Sequence, residues 1–512
     1  MTFFNSINNS FMKNINKKTK CRFNDRKKIW RPSILISLSI ILSGCAVIHS
    51  EKAPLPQTDL SQIHLADAPE GALREWPGNH WWQNYHDPQL NQLVALALAD
   101  SPTLAVVRQR VEIAKSQTDR ARANDLPIVN FGADVERQKM SAEGVMGPFA
   151  LDDPAAGTTG PWYTNGTFGL QASYDLDLWG KNRAQVQSAL GVYKAKQAEL
   201  AESELLVSSA VTQIYWDIQT VKSLQDILLE IKKQESIIDD TDRRLYNEGI
   251  ISSLEQTQTE TQFAKIDEQI DAYTGNLLLL RANLQAMIGL KNPLPELKTV
   301  PLPDIASTMP QNLNYELLAR RPDLQAAHWY IDASLSEVDA AKAAFYPEIN
   351  LMGFLQNDAL HLSDLFRGSA QQMGGIFGLT LPIFDGGRLN ANLSVMQDNS
   401  NLSIANYNKA VVNAVTEVTK GITQLDTITH QRTHQAVVVA GDKKIWSLTQ
   451  QRFQAGLISG VNVAKAKLPL LAEQTKLIEL HGRWIDADIN LIKALGGGYR
   501  AESLPVASES KS

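Results

Sequence analysis

The apolar positions of this chain follow two periods. From Phe263, the residues Ile266, Ile270, Tyr273, Leu277, Leu280, Leu284 and Met287 step alternately by three and four, the spacing of a coiled-coil seam. Leu224, Ile231, Ile238 and Leu245 carry a looser seven-residue step through the preceding stretch, where Lys181 to Asn247 contain no proline and one glycine, Gly191. These patterns predict helices over 181–247 and 252–289, the first reaching about 100 Å at 1.5 Å per residue. Each presents only a stripe of apolar residues, so such rods must lie side by side. Period two appears elsewhere. Over 167–178, Phe168, Leu170, Ala172, Tyr174, Leu176 and Leu178 alternate with polar residues and glycine. Val129, Phe131, Ala133 and Val135 do the same over 128–137, so both stretches read as strands. Phe377, Leu379, Leu381 and Ile383 predict another. Segment 348–356 is weaker, because Met352 and Phe354 blur the face opposite Ile349, Leu351 and Leu355.

The whole pattern occurs twice. Pro102 matches Pro322 and Pro127 matches Pro347 at an offset of 220, Gly180 matches Gly386 at 206, and Gly249 and Gly289 match Gly456 and Gly496 at 207. Adding 207 to the last six seam positions gives Leu477, Leu480, Trp484, Ala487, Leu491 and Ala494, all apolar. The chain is therefore a tandem duplication. Repeat 1, over 88–290, holds a helix from Leu90 to about Arg122, a β-hairpin over 127–178 and the two long helices. Repeat 2, over 313–496, holds a helix from Leu313 to about Ala344, a hairpin over 347–384 and helices over 387–455 and 460–495. Residues 291–312 link the repeats and 497–512 form a tail. The larger early offset assigns the Gly/Pro/Ala/Asp stretch "MSAEGVMGPFALDDPAAGTTGP" to a loop inserted in the first hairpin.

The front of the chain changes the picture. Residues 1–31 hold nine Lys/Arg and one acid, Asp25, and a short apolar run from Ile34 to Leu42 ends in Leu42-Ser43-Gly44-Cys45. A basic lead, a short apolar core and small residues make a secretory signal over 1–44, too short for a span of about 20 residues. Small residues running into a cysteine resemble a lipobox. The resemblance implies cleavage before Cys45, covalent lipid on it as the only added group, and a lipidated segment over 45–87. An exported protein with a chance cysteine is the bland alternative, and Met12 is a second candidate start. Ala46 after the cysteine implies the outer membrane. Cys21 lies in the removed segment, so no disulfide is possible. Loss of eight net positive charges takes the whole-chain −6 to −14, which argues against a nucleic-acid partner.

Strands of about 9–11 residues with an apolar and a polar face suit a transmembrane β-barrel. Trp162, Tyr163, Trp179, Tyr346 and Phe384 near their ends suit an interfacial girdle. Two hairpins of a soluble sheet are the alternative. Four strands cannot close a barrel, and an open edge is untenable in lipid, because its N–H and C=O groups go unpaired. One chain must supply part of a shared barrel. Both hairpins leave and return on the same side, so the rods project from one membrane face and Gly249 and Gly456 mark their far tips.

At this point the sequence resembles the outer-membrane efflux factors, the TolC-like family, in its lipoprotein branch. The resemblance rests on "WWQNYHDPQLNQLVALAL" (81–98), "YDLDLWGKNRAQV" (174–186), "YELLARRPDLQAA" (315–327), "AAKAAFYPEINL" (340–351), "LPIFDGGRLNANL" (381–393) and "IKALGGGY" (492–499). It implies a mainly α, tandem-duplicated TolC-like fold with membrane β. Four strands per chain would build a 12-stranded β-barrel in a homotrimer, above a coiled-coil periplasmic tunnel. A belt would draw on 88–124, 313–344, 292–310 and the tail after Gly497. The implied function is the outer-membrane channel of a tripartite efflux pump, passively conducting drugs or other small toxic molecules from periplasm to exterior. The implied partners are a periplasmic adaptor, an inner-membrane pump and outer-membrane lipid.

The resemblance also assigns sites. Leu245, Tyr246, Gly249, Ile250, Ile251 and Ser252, with Arg452, Phe453, Gly456, Leu457, Ile458 and Ser459, would meet the adaptor. A glycine permits the tight reversal, and bare aliphatics at a tip want a partner; turns that only close a helical hairpin are the alternative. Many family members carry acids six and nine residues after the second glycine, as a gate. Here those positions are Asn462 and Lys465, with Glu255 and Gln258 in the first repeat. The departure questions a cation-binding gate, and a ring of Lys465 would suit anionic cargo. His430 and His434 have an i, i+4 spacing that can hold zinc, but no third ligand is evident, so a solvated helix face is expected. Asp175 and Asp177, i and i+2 on a strand, read as lumen-facing rather than catalytic. With no phosphate loop, dinucleotide fingerprint or nucleophile elbow, no enzyme and no metal site are expected. The competing class is a coiled-coil spacer lipoprotein, which has no need of two-faced hairpins.

Overall fold

The computed structural model describes residues 52–58, 75–139, 162–289, 291, 294–307 and 320–500. Cys45, the signal segment, the 140–161 loop, part of the linker and the end of the tail lie outside the described residues. A 3-10 turn over Trp81–Tyr85 leads into α1 (Pro88–Asp100) and α2 (Pro102–Ala123). Then come β1 (Ile128–Lys139), β2 (Trp162–Leu176), α3 (Lys181–Asn247) and α4 (Ser253–Ile288). The second repeat gives α5 (Pro322–Ala343), β3 (Glu348–Ala359), β4 (Gln371–Thr380), α6 (Arg388–Gln454) and α7 (Gly460–Ala494).

Several boundaries differ from the periodicity. The single helix expected from Leu90 to Arg122 is two, because Pro102 pushes Ser101 out of helical geometry (φ −57°, ψ 125°). In the second repeat α5 begins at Pro322, after an extended Arg321, for the same reason. β2 starts earlier than expected, at Trp162, and β3 runs on to Ala359 despite its blurred alternation, because it is paired along both edges. The alternation of Leu381 and Ile383 is not strand: β4 stops at Thr380, two residues before Pro382, which has no N–H for the ladder.

The helices pack as rods in two tiers. α3 and α6, each 67 residues and about 100 Å long, run the whole length. On the sheet side α2 lies against α3, and α5 lies between α3 and α6. On the far side α4 lies against α3, and α7 lies between α3 and α6. Residues 102–123 and 322–343 are therefore wall, not belt, since each must reach the sheet end to enter β1 or β3 within four residues. Among the described residues, the belt comprises the 3-10 turn, α1, the linker around Leu297 and the Gly496–Tyr499 segment, while 308–319 and the tail after Arg500 lie outside them.

The main core lies at this level. Trp81, Leu90 and Leu93 share one cluster with Tyr215 and Ile218 of α3, Leu284 and Ile288 of α4, Val418 and Ile422 of α6, Trp484 to Ala494 of α7 and Leu495 just past its end. The seam positions behave as a stripe: Ile266 and Leu284 are buried and their seam neighbours half-buried, while flanking Leu278 and Leu279 are 66% and 67% exposed. Polar latches fix the belt. Asp87 caps α1 at the N–H groups of Gln89 and Leu90 (2.7 and 3.3 Å) and accepts the Tyr215 hydroxyl at 2.6 Å. The Tyr85 hydroxyl donates to buried Asp488 at 2.8 Å. Arg321, where α7 ends and α5 begins, donates to Asp323 (2.9 and 2.7 Å), Glu417 (2.8 Å) and the Ala494 carbonyl (3.0 Å).

Candidate functional site

The four strands form one antiparallel sheet in the order β1-β2-β3-β4, so among the described residues β1 and β4 each leave an edge unpaired. The register puts Phe131, Leu170 and Leu355 opposite one another, with Met373 next in the same row. Cross-strand partners share a face. Val129, Phe131, Val135, Met373, Phe377 and Leu379 are all more than 60% exposed on it. The opposite face carries Asn130, Asp134, Gln171, Ser173, Asp175, Asn350 and Gln356, with the Asn350 amide donating to the Asp175 carboxylate. Asp175 thus lies on the polar face. Asp177 has left the strand and caps the start of α3, accepting from the N–H groups of Asn182 and Arg183 (3.2 and 3.0 Å). Apolar exceptions interrupt the polar face at Met352, Phe354 and Ile376. At the helix end of the sheet Trp179 stacks on Tyr346 (4.9 Å) and donates to the Pro347 carbonyl (2.8 Å), an aromatic rim.

At the other end of the rods the two tips have the same construction. Gly249 and Gly456 take left-handed φ of 72° and 73°. The N–H of Ile250 reaches the Leu245 carbonyl at 2.8 Å and that of Gly249 the Tyr246 carbonyl at 2.9 Å. Leu457 to Arg452 (3.0 Å) and Gly456 to Phe453 (2.9 Å) repeat the pattern, a Schellman stop in both hairpins. With the carbonyls satisfied internally, the turn leaves its aliphatics outside. Ile250 is 63%, Leu457 68%, Phe453 46% and Tyr246 40% exposed, whereas Leu245, Ile251 and Ile458 are half-buried and Ser252, Ser459 and Arg452 open. The structure adds residues that the turn sequence does not disclose. Leu254 is 66% exposed, and Ile445 and Leu448 of α6 form a groove with Arg452 and Leu457. Their three- and seven-residue spacing was the available signal, but on a helix already expected to have a buried stripe it does not say which stripe stays open.

The four gate positions separate by role. Glu255 is the third residue of α4, and its carboxylate accepts the Ser252 hydroxyl (2.8 Å) and N–H (2.6 Å), which in that order hold its pKa below the usual carboxylate range. Asn462 holds the matching third position of α7 but acts in the opposite sense, its amide donating to the Ser459 hydroxyl at 2.9 Å. Gln258 and Lys465 stay exposed, one turn further along. Lys465 faces Glu235 of α3, whose carboxyl is pushed up by burial and drawn back by that ammonium. Just above, Lys467 is bonded to Glu230 (2.5 Å) and Thr259 to Asp242 (2.9 Å), pairs that tie α7 and α4 to α3. His430 sits on an open face with Asp426 at 3.6 Å, one turn away on α6.

Among the described residues no single helix is long and apolar enough to cross a membrane. The model of the family described as outer membrane efflux protein matches residues 93–290 and 313–497. The chain is 50% identical to the multidrug resistance outer membrane protein MdtQ of Escherichia coli O157:H7, over 90% of this chain and 97% of that one. It is 40% identical to the multidrug resistance outer membrane protein MdtP of Escherichia coli K12, over 92% and 96%. The crystal structure of the Campylobacter jejuni CmeC outer membrane channel superposes with a TM-score of 0.77 at 20% identity, covering 89% of this chain and 96% of that one.

Proposed function

The chain belongs to the outer membrane efflux protein family, and we propose that three copies form one continuous duct through the outer membrane and into the periplasm. Its function is that of an outer-membrane efflux channel for multidrug-type small molecules, as the names of its relatives indicate. The single observation that carries the reading is a two-faced sheet whose two edges are unpaired among the described residues, mounted on rods about 100 Å long. Lipid demands that the edges pair, and three sheets of four give the even-numbered closed barrel that one cannot. The rods point the same way: in the far tier α4 packs on α3 and α6 on α7, so each is an end member of its row with an outer flank for a neighbouring copy to cover. The chain holds no energy source of its own in this reading. The tips carry the Ile250 and Leu457 aliphatics to an adaptor that links the duct to an inner-membrane pump.

A lipid on Cys45 fits the same frame. Lys52 pairs with Asp398 (2.7 Å), and the N–H groups of Leu55 and Thr58 donate to Asn401 and Asn408 (2.8 Å each), so this strap runs along α6 away from the sheet. Asp398 lies ten residues into α6, about 15 Å from its start. The seven residues from Cys45 to Lys52 span up to about 25 Å, enough to return to the membrane surface. At the gate, the three Lys465 side chains offset the negative charge that Glu255 keeps within its cap, so strong cation selectivity is not expected.

Membrane insertion and conduction test the reading together. Protein carrying Cys45→Ser should still resist carbonate extraction from outer membranes, and the purified trimer should conduct in a planar bilayer without strong cation selectivity. Release into solution, or a folded monomer in detergent without conductance, would overturn the duct in favour of a lipid-tethered spacer. Strong cation selectivity, or block by divalent cations from the periplasmic side, would remove the Lys465 gate alone.

A further inference from the structure

The apolar face of the sheet does not stay apolar to its end. Val129, Phe131, Ala133 and Val135 of β1 are followed on the same face by Arg137 and Lys139, both exposed. The two strand positions lie about 7 Å apart, one and two rungs beyond the apolar band. Lys139 pairs with Trp162, 53% exposed, and Arg137 with Thr164. This is the end farthest from the helices, because β1 enters from α2 at Ile128 and β2 leaves toward α3 at Leu176. Among the described residues, the neighbouring acids are engaged elsewhere. Glu136 and Asp358 belong to the polar face, and Asp364 in the β3–β4 turn is held by Arg367 at 2.9 Å. Phe366 from that turn, 81% exposed, lies 5.3 Å from Phe168 on the apolar side.

A pair of cations flanked by an exposed tryptophan, just beyond a lipid-facing band, suits an amphiphile with fatty chains and an anionic head. Resting on the barrel reading above, this end is the exterior one, where the outer leaflet of a Gram-negative outer membrane presents phosphorylated glycolipid. We propose that Arg137 and Lys139, with Trp162, form a binding site for the phosphate of an outer-leaflet glycolipid of the lipid A class. Closure of the barrel repeats the site three times, each beside the seam at which β1 meets β4 of the next copy, so bound glycolipid bridges the seams.

Native mass spectrometry of the detergent-purified trimer tests this with diphosphoryl lipid A as the probe, against dephosphorylated lipid A and phosphatidylglycerol. The expected result is at least ten-fold tighter retention of diphosphoryl lipid A than of either comparison lipid. R137Q/K139Q should abolish that preference and K443Q/K444Q, which removes two exposed cations of α6, should leave it intact. Equal retention by wild type and R137Q/K139Q, or equal binding of phosphatidylglycerol by wild type, would overturn the site. Bilayer conductance of the same preparations separates this from failure of the barrel: conducting trimers that lack the preference refute the lipid site alone, and wild type that forms no conducting trimer refutes both.

Discussion

Removing the tip aliphatics should uncouple the duct from its partner without unfolding it. Ile250 and Leu457 lie in turns whose backbone is satisfied by Schellman bonds, and they leave 63% and 68% of their side-chain environments open. Full burial of such a side chain is worth about 1.5–3 kcal/mol. Covering the exposed two-thirds therefore contributes about 1–2 kcal/mol each, or about 2–4 kcal/mol for the pair. In Ile250→Ser/Leu457→Ser the affinity of the trimer for its adaptor should fall between about 30-fold and several hundred-fold, at 1.4 kcal/mol per decade. Six turns per trimer should make the loss steeper in cells, where all contacts act together. The assays are adaptor binding to purified trimer, drug accumulation in cells and thermal melting of the trimer. Melting should move by no more than about 0.5 kcal/mol equivalent, since neither side chain is part of a core. Unchanged affinity and unchanged drug accumulation, with melting preserved, would refute the assignment of these turns as the docking surface.

Other perturbations test the frame. Gly456→Val places a β-branched residue at φ 73°, costing about 1–2 kcal/mol locally; amide exchange should rise around residues 450–460 and stay unchanged in the belt. Arg321→Met strands Asp323 and Glu417 and frees the Ala494 carbonyl, so the trimer should lose about 3 kcal/mol against denaturant. Arg321→Lys should recover only part of that, because an ammonium lacks the planar fork that grips Asp323. Asp486 has its carboxyl pushed up to about 7, by burial first and by Asp217 second. A folded-state pKa above the unfolded one means that the folded chain holds the extra proton, so stability falls as pH rises from about 4 to about 7. Asp486→Asn should flatten that slope and raise stability at pH 8 by about 2 kcal/mol, read by denaturant melts across pH.

The rods were legible because helix and strand periods are local properties: the seam of Phe263 to Met287 and the alternation of Phe168 to Leu176 need no distant partner to be recognised. The duplication sharpened this, since a matched glycine such as Gly249 and Gly456 marks the same turn twice. Misreadings fell where local geometry interrupts a period, at Ser101 before Pro102 and beyond Thr380 before Pro382. The gate shows a different limit. Glu255 and Lys465 hold comparable places in the two repeats, three residues apart, yet the first is spent on a helix cap and the second faces Glu235. Sequence spacing counts residues and cannot say which neighbouring element a carboxylate will find.

The duplicated set of apolar-striped rods and the two-faced strands are written in the order of the residues, because side-chain period dictates which face each element can bury. Packing in three dimensions made the remaining choices: the short helices stack in two tiers around α3 and α6, Arg321 joins the end of α7 to the start of α5, and among the described residues β1 and β4 keep open edges. Those choices depend on contacts between residues hundreds of positions apart, whose energies arise when chain topology brings them together and leave no periodic trace in the chain.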